Sequence, residues 1–178
     1  MLSLTMTQLI KTDLPTILLP WLIHQGPLTD KLRREAGVAR LQVLRQQWHK
    51  PDWWDKYTLQ LRTDTVMHRE ILMWSASHPC WYARTILPQA SYLHDPGFFD
   101  RLNNETLGKL IFANPRVERI SLTHYPINPQ LIEYYWLTAA MHGDSQQLWV
   151  RKSRFVLDGG LPFFLIEILL PGLERACM

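Results

Sequence analysis

Cysteine is nearly absent from this chain. Cys80 and Cys177 are the only two in 178 residues, which excludes a disulfide framework or a CxxC metal cluster and fits a reducing compartment. The seven histidines show no HxxxH or HExxH spacing, and His78-Pro-Cys80 is too short to argue zinc. A glycine-rich phosphate loop and a dinucleotide fingerprint are missing, and nothing supports a Ser/His triad. Nor is there an excess of one charge. Nineteen Lys and Arg against 16 Asp and Glu leave +3, too little to argue for nucleic acid, while anionic small molecules are equally welcome. The basic groups Lys31-Leu-Arg-Arg34 and Arg151-Lys-Ser-Arg154 are short and ordinarily read as solvated faces. The apolar patch from Leu14 to Ile23 is broken by Pro15 and Pro20 and lacks a cationic leader or small-residue cleavage site. Neither a signal peptide nor a membrane span is expected, and the protein is read as cytoplasmic.

What is present is an ordinary globular composition, 47% hydrophobic and 20% charged. A chain of this length buries roughly 68–70% of its unfolded surface and needs no covalent staple. Eight tryptophans favour a strand-rich core with aromatic lining. Residues 14–36 read as two short helices split at Gln25-Gly-Pro27, with Gly37 as a helix stop. Strands are expected over 38–48, 65–75 and 80–87, the last two forming a hairpin through Ser77-His-Pro79. A polar, tryptophan-rich loop covers 49–58. Residues 88–115 read as loop and short helices, of which Leu107–Phe112 is the best, capped from Asn103-Asn-Glu-Thr106. A strand over 117–125 leads into a helical stretch near 129–141. The chain closes with a hairpin, Leu148–Leu157 turning at Asp158-Gly-Gly160 into the strand 161–169. Without repeat or linker, this is one α+β domain over 1–178, an antiparallel sheet with helices around it.

Two residues stand out from their strands. Glu167 is the single ionisable group in Leu161-Pro-Phe-Phe-Leu-Ile-Glu-Ile-Leu-Leu-Pro171, a run apolar enough to be covered on both faces. In Val66–Trp74, alternation puts Met67, Arg69, Ile71 and Met73 on one side and His68, Glu70 and Leu72 on the other, so Arg69 joins an apolar face. A buried carboxylate and a buried guanidinium need a partner or a purpose. The ordinary reading is mutual neutralisation as an ion pair, and the functional one is a small polar site inside the sheet.

Arg69-Glu-Ile-Leu72, Ala83-Arg-Thr85 with Pro88, Leu107-Gly108 with Phe112, Leu148-Trp149, Arg151 with Ser153-Arg154, and Glu167 with Leu170-Pro171 recur in order over about 65–171. In these blocks the chain resembles the chorismate pyruvate-lyase family, which makes 4-hydroxybenzoate for ubiquinone synthesis. The resemblance implies an antiparallel sheet flanked by helices, enclosing the ligand beneath flap-like segments. It implies a cofactor-free carbon–oxygen lyase acting on chorismate, releasing pyruvate and 4-hydroxybenzoate. The family's strand arginine falls on Arg69, its leucine at a helix start on Leu107, and its late-strand glutamate on Glu167; its methionine contact is replaced here by Leu28. On that basis Arg69 grips the ring carboxylate, aided by the Leu107 main-chain N–H. Glu167 meets the C4 hydroxyl, either orienting the substrate or acting as general acid or base, as apolar surroundings would favour. Arg84, Lys152 and Arg154 are candidates for the enolpyruvyl carboxylate, against the solvated-face reading. The segments 49–58 and 88–106 are the expected lids. No metal, nucleic acid or stable membrane insertion is expected, and the chain is taken as a monomer. Two alternatives stay open: a non-catalytic aromatic-acid sensor of the same fold, and an enzyme turning chorismate into another hydroxybenzoate.

Overall fold

The computed structural model describes residues 14–112 and 114–178. Two short helices, α1 (Leu19–Leu22) and α2 (Leu28–Ala36), precede β1 (Arg40–His49), and α2 ends at Gly37, whose φ of 81° suits a residue without a Cβ. A third helix, α3 (Trp53–Thr58), separates β1 from the hairpin of β2 (Val66–Ser75) and β3 (His78–Pro88). Then come α4 (Gln89–His94), α5 (Pro96–Asp100), a 3₁₀ turn over Arg101–Asn103 and α6 (Leu107–Ile111). The second half contains β4 (Val117–Ile127), a 3₁₀ turn over Ile132–Trp136, α7 (Ala139–His142), β5 (Leu148–Leu157), β6 (Leu161–Leu169) and α8 (Pro171–Ala176). The strands form one six-stranded sheet in the order β1-β2-β3-β6-β5-β4, with every pairing antiparallel. Among the described residues no helix is long and apolar enough to cross a membrane.

The β5–β6 turn puts Asp158 and Gly159 at φ values of 51° and 78°, the paired left-handed conformation that Asp-Gly tolerates and that matches strand twist. It fixes the register: Leu157 faces Leu161, and counting outwards Arg151 faces Glu167. Arg116 clamps the turn from the start of β4 by donating two hydrogen bonds to the Asp158 carboxylate, at 3.0 and 2.7 Å.

Alternation divides the sheet into two faces. Even-numbered residues such as Leu72, Tyr82, Ile86, Val150 and Ile166 build a core with Trp54 of α3 and with Tyr134 and Leu137. Odd-numbered residues face two separate helical groups. Ile71, Met73, Trp81 and Trp149 pack on Trp21, Leu22, Leu32 and Leu173 of α1, α2 and α8. Met67, Leu87, Phe155 and Phe163 pack on α5 and α6 through Phe98, Phe99 and Leu110. Between these two clusters the odd face is not filled.

Two expectations change here. Residues 49–58 do not form a loop over a site: Asp52 and Asp55 make a reciprocal capping box that starts α3. Trp54 then buries itself in the even-face core, on the side away from the gap. The stretch 129–141 breaks into a 3₁₀ turn and the single turn of α7, because Leu137, extended at ψ 148°, interrupts it. The C-terminal helix α8 was not anticipated from the sequence, although Pro171 at its first turn is a start signal.

Candidate active site

The gap on the odd face is a pocket that, together with its mouth open to solvent, encloses about 530 Å³ not filled by protein atoms. Its floor is the sheet: Arg69 and Ile71 from β2, Ala83 and Thr85 from β3, Glu167 from β6 and Arg151 from β5. Its walls are the starts of α2 and α6, bringing Leu28 and Leu107 to the ligand space, with Phe112 and Arg119 at the far side. The two walls meet where a Cβ on Gly108 would come 3.2 Å from the Pro27 Cβ, so the bare backbone there permits the close approach.

Arg69 is 2% exposed. It donates from Nη2 to the Glu105 carbonyl at 3.2 Å, while its Nε is buried with no partner. Burial pulls its pKa down to about 10, which leaves a full cation at neutral pH, poorly hydrated and short of an acceptor. Leu107 is the first residue of α6, which Thr106 caps by accepting from the Lys109 N–H at 3.2 Å. The Leu107 N–H therefore belongs to the first turn, where no intrahelical acceptor exists. Leu28 offers an apolar side chain at the opposite wall. All four residues singled out from the sequence thus line one cavity.

Glu167 is not alone in apolar surroundings as expected. Arg151, 1% exposed, lies directly opposite it in the register, and its Nη1 is 3.1 Å from Glu167 Oε2. The pairing makes Glu167 an oriented hydrogen-bond acceptor rather than a carboxyl isolated among hydrocarbons. Arg151 and Arg119 were missed in the sequence. The Asp158-Gly159 turn, counted outwards, would have put Arg151 opposite Glu167. Arg119 had no such signal: a bulge between Arg119 and Ser121 shifts the β4 register and brings Arg119 to the cavity side.

Arg84, Lys152 and Arg154 are not brought to this cavity, correcting the expectation that one of them meets a second carboxylate there. Being even-numbered on regular stretches of strand, they point to the other face. Arg84 is 2.9 Å from Glu70 there and donates from Nε to the Tyr82 hydroxyl at 3.2 Å. Lys152 and Arg154 border a separate hollow beside Phe164 and Gln60.

The described residues contain one group with ligand atoms close enough for a metal ion, Asp52, Asp55 and His68, within 4.8 Å of one another. Their atoms are already engaged. The Asp55 carboxylate takes His68 Nε2 at 3.0 Å and the Asp52 N–H at 3.0 Å, and the Asp52 carboxylate takes the Asp55 N–H at 2.8 Å. They hold α3 against the even face.

The model of the family described as "Chorismate lyase" matches residues 5–174. The chain belongs to the chorismate lyase family. It is accordingly an enzyme, a lyase. A probable chorismate pyruvate-lyase of Aromatoleum aromaticum is 30% identical over 160 residues, covering 88% of this chain and 86% of that one. One of Methylobacillus flagellatus is 27% identical over 157 residues, covering 88% of each chain. The chorismate pyruvate-lyase of Pectobacterium atrosepticum is 26% identical over 159 residues, covering 89% of this chain and 79% of that one. Among solved structures, the effector domain of PhnF from Mycobacterium smegmatis superposes with a TM-score of 0.58 at 14% identity, covering 84% of this chain and 91% of that one. The ligand-binding domain of a GntR-family regulator from Bordetella bronchiseptica gives 0.52 at 14% identity, over 77% and 85%. At that identity these two likenesses show a common α+β fold and nothing of the chemistry.

Proposed function

We propose that the cavity binds chorismate and eliminates pyruvate from it to leave 4-hydroxybenzoate, the first committed step toward ubiquinone. The observation that carries this reading is Arg69, buried with its Nε unpartnered at one end of a cavity whose one lining carboxylate among the described residues, Glu167, stands two strands away. Two strand spacings are about 9.6 Å, enough for a ring with an anionic group at one end and a hydroxyl at the other.

Chorismate carries its ring carboxylate at C1, the enolpyruvyl ether at C3 and a hydroxyl at C4. Arg69 takes the C1 carboxylate in a charge-assisted pair, and the Leu107 N–H adds a donor to it. Leu28 packs against the ring. Glu167 accepts from the C4 hydroxyl, which fixes how the C4 hydrogen is presented. The C3–O bond breaks with its electrons going to oxygen, which becomes the pyruvate carbonyl. The methylene carbon takes the C4 hydrogen, and the C4–H electrons form the new ring double bond. Atoms balance without redox change, aromatisation drives the reaction forward, and no cofactor is invoked. Orientation of this single reactant supplies the catalysis, worth about 7 kcal/mol or more where geometry is well held. Glu167 is assigned to orienting rather than to carrying the proton, because Arg151 already holds it as a paired acceptor. On this reading the protein is one domain, monomeric and cytoplasmic, needing neither nucleic acid nor a membrane.

The test is to incubate purified, metal-free protein with chorismate and follow pyruvate and 4-hydroxybenzoate together. Equal amounts of both, lost in Arg69→Ala, are expected. Binding of 4-hydroxybenzoate without turnover would instead favour an aromatic-acid sensor, a role compatible with the fold of the regulator effector domains. Pyruvate with a different aromatic product would point to sibling chemistry.

A further inference from the structure

The cavity holds more positive charge than its own residues balance. Among the described residues Arg69, Arg119 and Arg151 line it, and Glu167 is the one lining carboxylate, so these leave two positive charges for a ligand. Arg119 and Arg151 lie near enough to oppose each other: burial first, and then the charge of Arg151, pull the Arg119 pKa below its ordinary value. Both side chains also have donors to spare. Arg151 gives Nη2 to the His24 carbonyl at 2.7 Å and Arg119 gives Nη1 to the Gln25 carbonyl at 3.0 Å. Each Nε is buried with no partner. Unspent donors on two neighbouring cations, Arg151 buried and Arg119 half-buried, form a site for an anion.

The order of the strands says which anion. Arg69 stands on β2, Glu167 two strands away on β6, Arg151 next on β5 and Arg119 last on β4. We propose that Arg119 and Arg151 bind a second carboxylate of the substrate, the one on its three-carbon enol ether arm. This rests on the chorismate lyase reading: with C1 at Arg69 and C4 at Glu167, the substituent on neighbouring C3 reaches β5 and β4. The pair holds the leaving fragment in place, and after C3–O cleavage it holds the carboxylate of pyruvate. Because the same two guanidinium groups hold the carbonyls of residues 24 and 25, the arm binds directly beneath the segment that leads into α2.

Product and substrate separate this subsite from the rest of the cavity, since 4-hydroxybenzoate carries only the ring carboxylate. Arg119 is half-buried on an edge strand, so Arg119→Gln and Arg119→Lys are the variants to make, with thermal melting to verify folding. Arg119→Gln should raise the KM for chorismate about tenfold or more while 4-hydroxybenzoate affinity changes less than about twofold, and Arg119→Lys should recover part of the loss. Equal weakening of chorismate and 4-hydroxybenzoate, or an unchanged KM, would overturn the subsite while leaving the lyase reading intact. Wild-type protein that neither turns over chorismate nor binds 4-hydroxybenzoate would instead overturn that reading, and the subsite with it.

Discussion

Two arginine–glutamate pairs are buried on opposite faces of this sheet, and they differ in what their remaining donors do. On the even face, Glu70 accepts from Arg45 at 2.8 Å and is 2.9 Å from Arg84. Arg84 spends its Nε on Tyr82 and lies 3.7 Å from the Trp136 ring centre. Core side chains and α3 close over that side. On the odd face, Arg151 pairs with Glu167 but keeps an unpartnered Nε, as do Arg119 and Arg69, and a cavity lies in front of them. Burial and charge are common to both pairs. Buried donors left without a partner on residues that line a cavity distinguish the one that awaits a ligand.

Neutralising each carboxylate in turn tests that contrast. Glu70→Gln should cost about 3 kcal/mol of unfolding free energy in denaturant titration, because Arg84 loses its counter-charge with no room for water, while kcat/KM per folded molecule is unchanged. Glu167→Gln should reverse the pattern: turnover of chorismate falls roughly 10²-fold, 4-hydroxybenzoate still binds, and the stability loss stays near 1 kcal/mol because cavity water can hydrate Arg151. If both variants lost stability equally, the odd-face pair would be structural too.

Acid provides a graded version of the same test. Burial works against the Glu70 carboxylate, but the Arg45 hydrogen bond and the charges of Arg84 and Arg45 outweigh it and hold its pKa below the ordinary 4.5. Its stabilising contribution is therefore complete above about pH 4.5 and disappears as pH falls through the lower folded value. Stability curves of wild type and Glu70→Gln should converge at low pH and separate above it. The smallest effect belongs to the α3 cap: Asp52→Ala should cost about 1 kcal/mol and leave turnover unaltered.

The sequence carried the sheet well, because hydrophobic alternation in Val66–Trp74 and the Asp158-Gly159 turn are local signals that tertiary packing reinforced. Arg69 and Glu167 were legible for the same reason, as charges out of place in a strand. Leu107 and Leu28 came from resemblance alone, and both line the cavity. The helix at 53–58 was hidden by its brevity and by tryptophans that resemble an aromatic loop, although Asp52 and Asp55 at capping-box spacing were readable. Arg84, Lys152 and Arg154 went to the wrong face because basic character was weighed before strand parity, which alone decides the side in regular strands. Arg119 was beyond such reasoning, since a bulge cannot be counted from residue numbers.

That bulge makes β4 a strand with a frameshift in it. Val117 and Arg119 obey one reading frame and Ser121 to Ile127 the other, with exposed Ile120 as the inserted letter. Deleting Ile120 alone would make the pairing regular and keep the frame: Arg119 would stay opposite Phe155 on the cavity side and Ser121 opposite Arg154, so Ile127 would stay in the opposite core. Deleting a residue of the regular stretch instead, such as Thr123, would turn either Arg119 from the cavity or Ile127 from its core. For this stretch of chain, the spacing between residues carries as much of the specification as their identities.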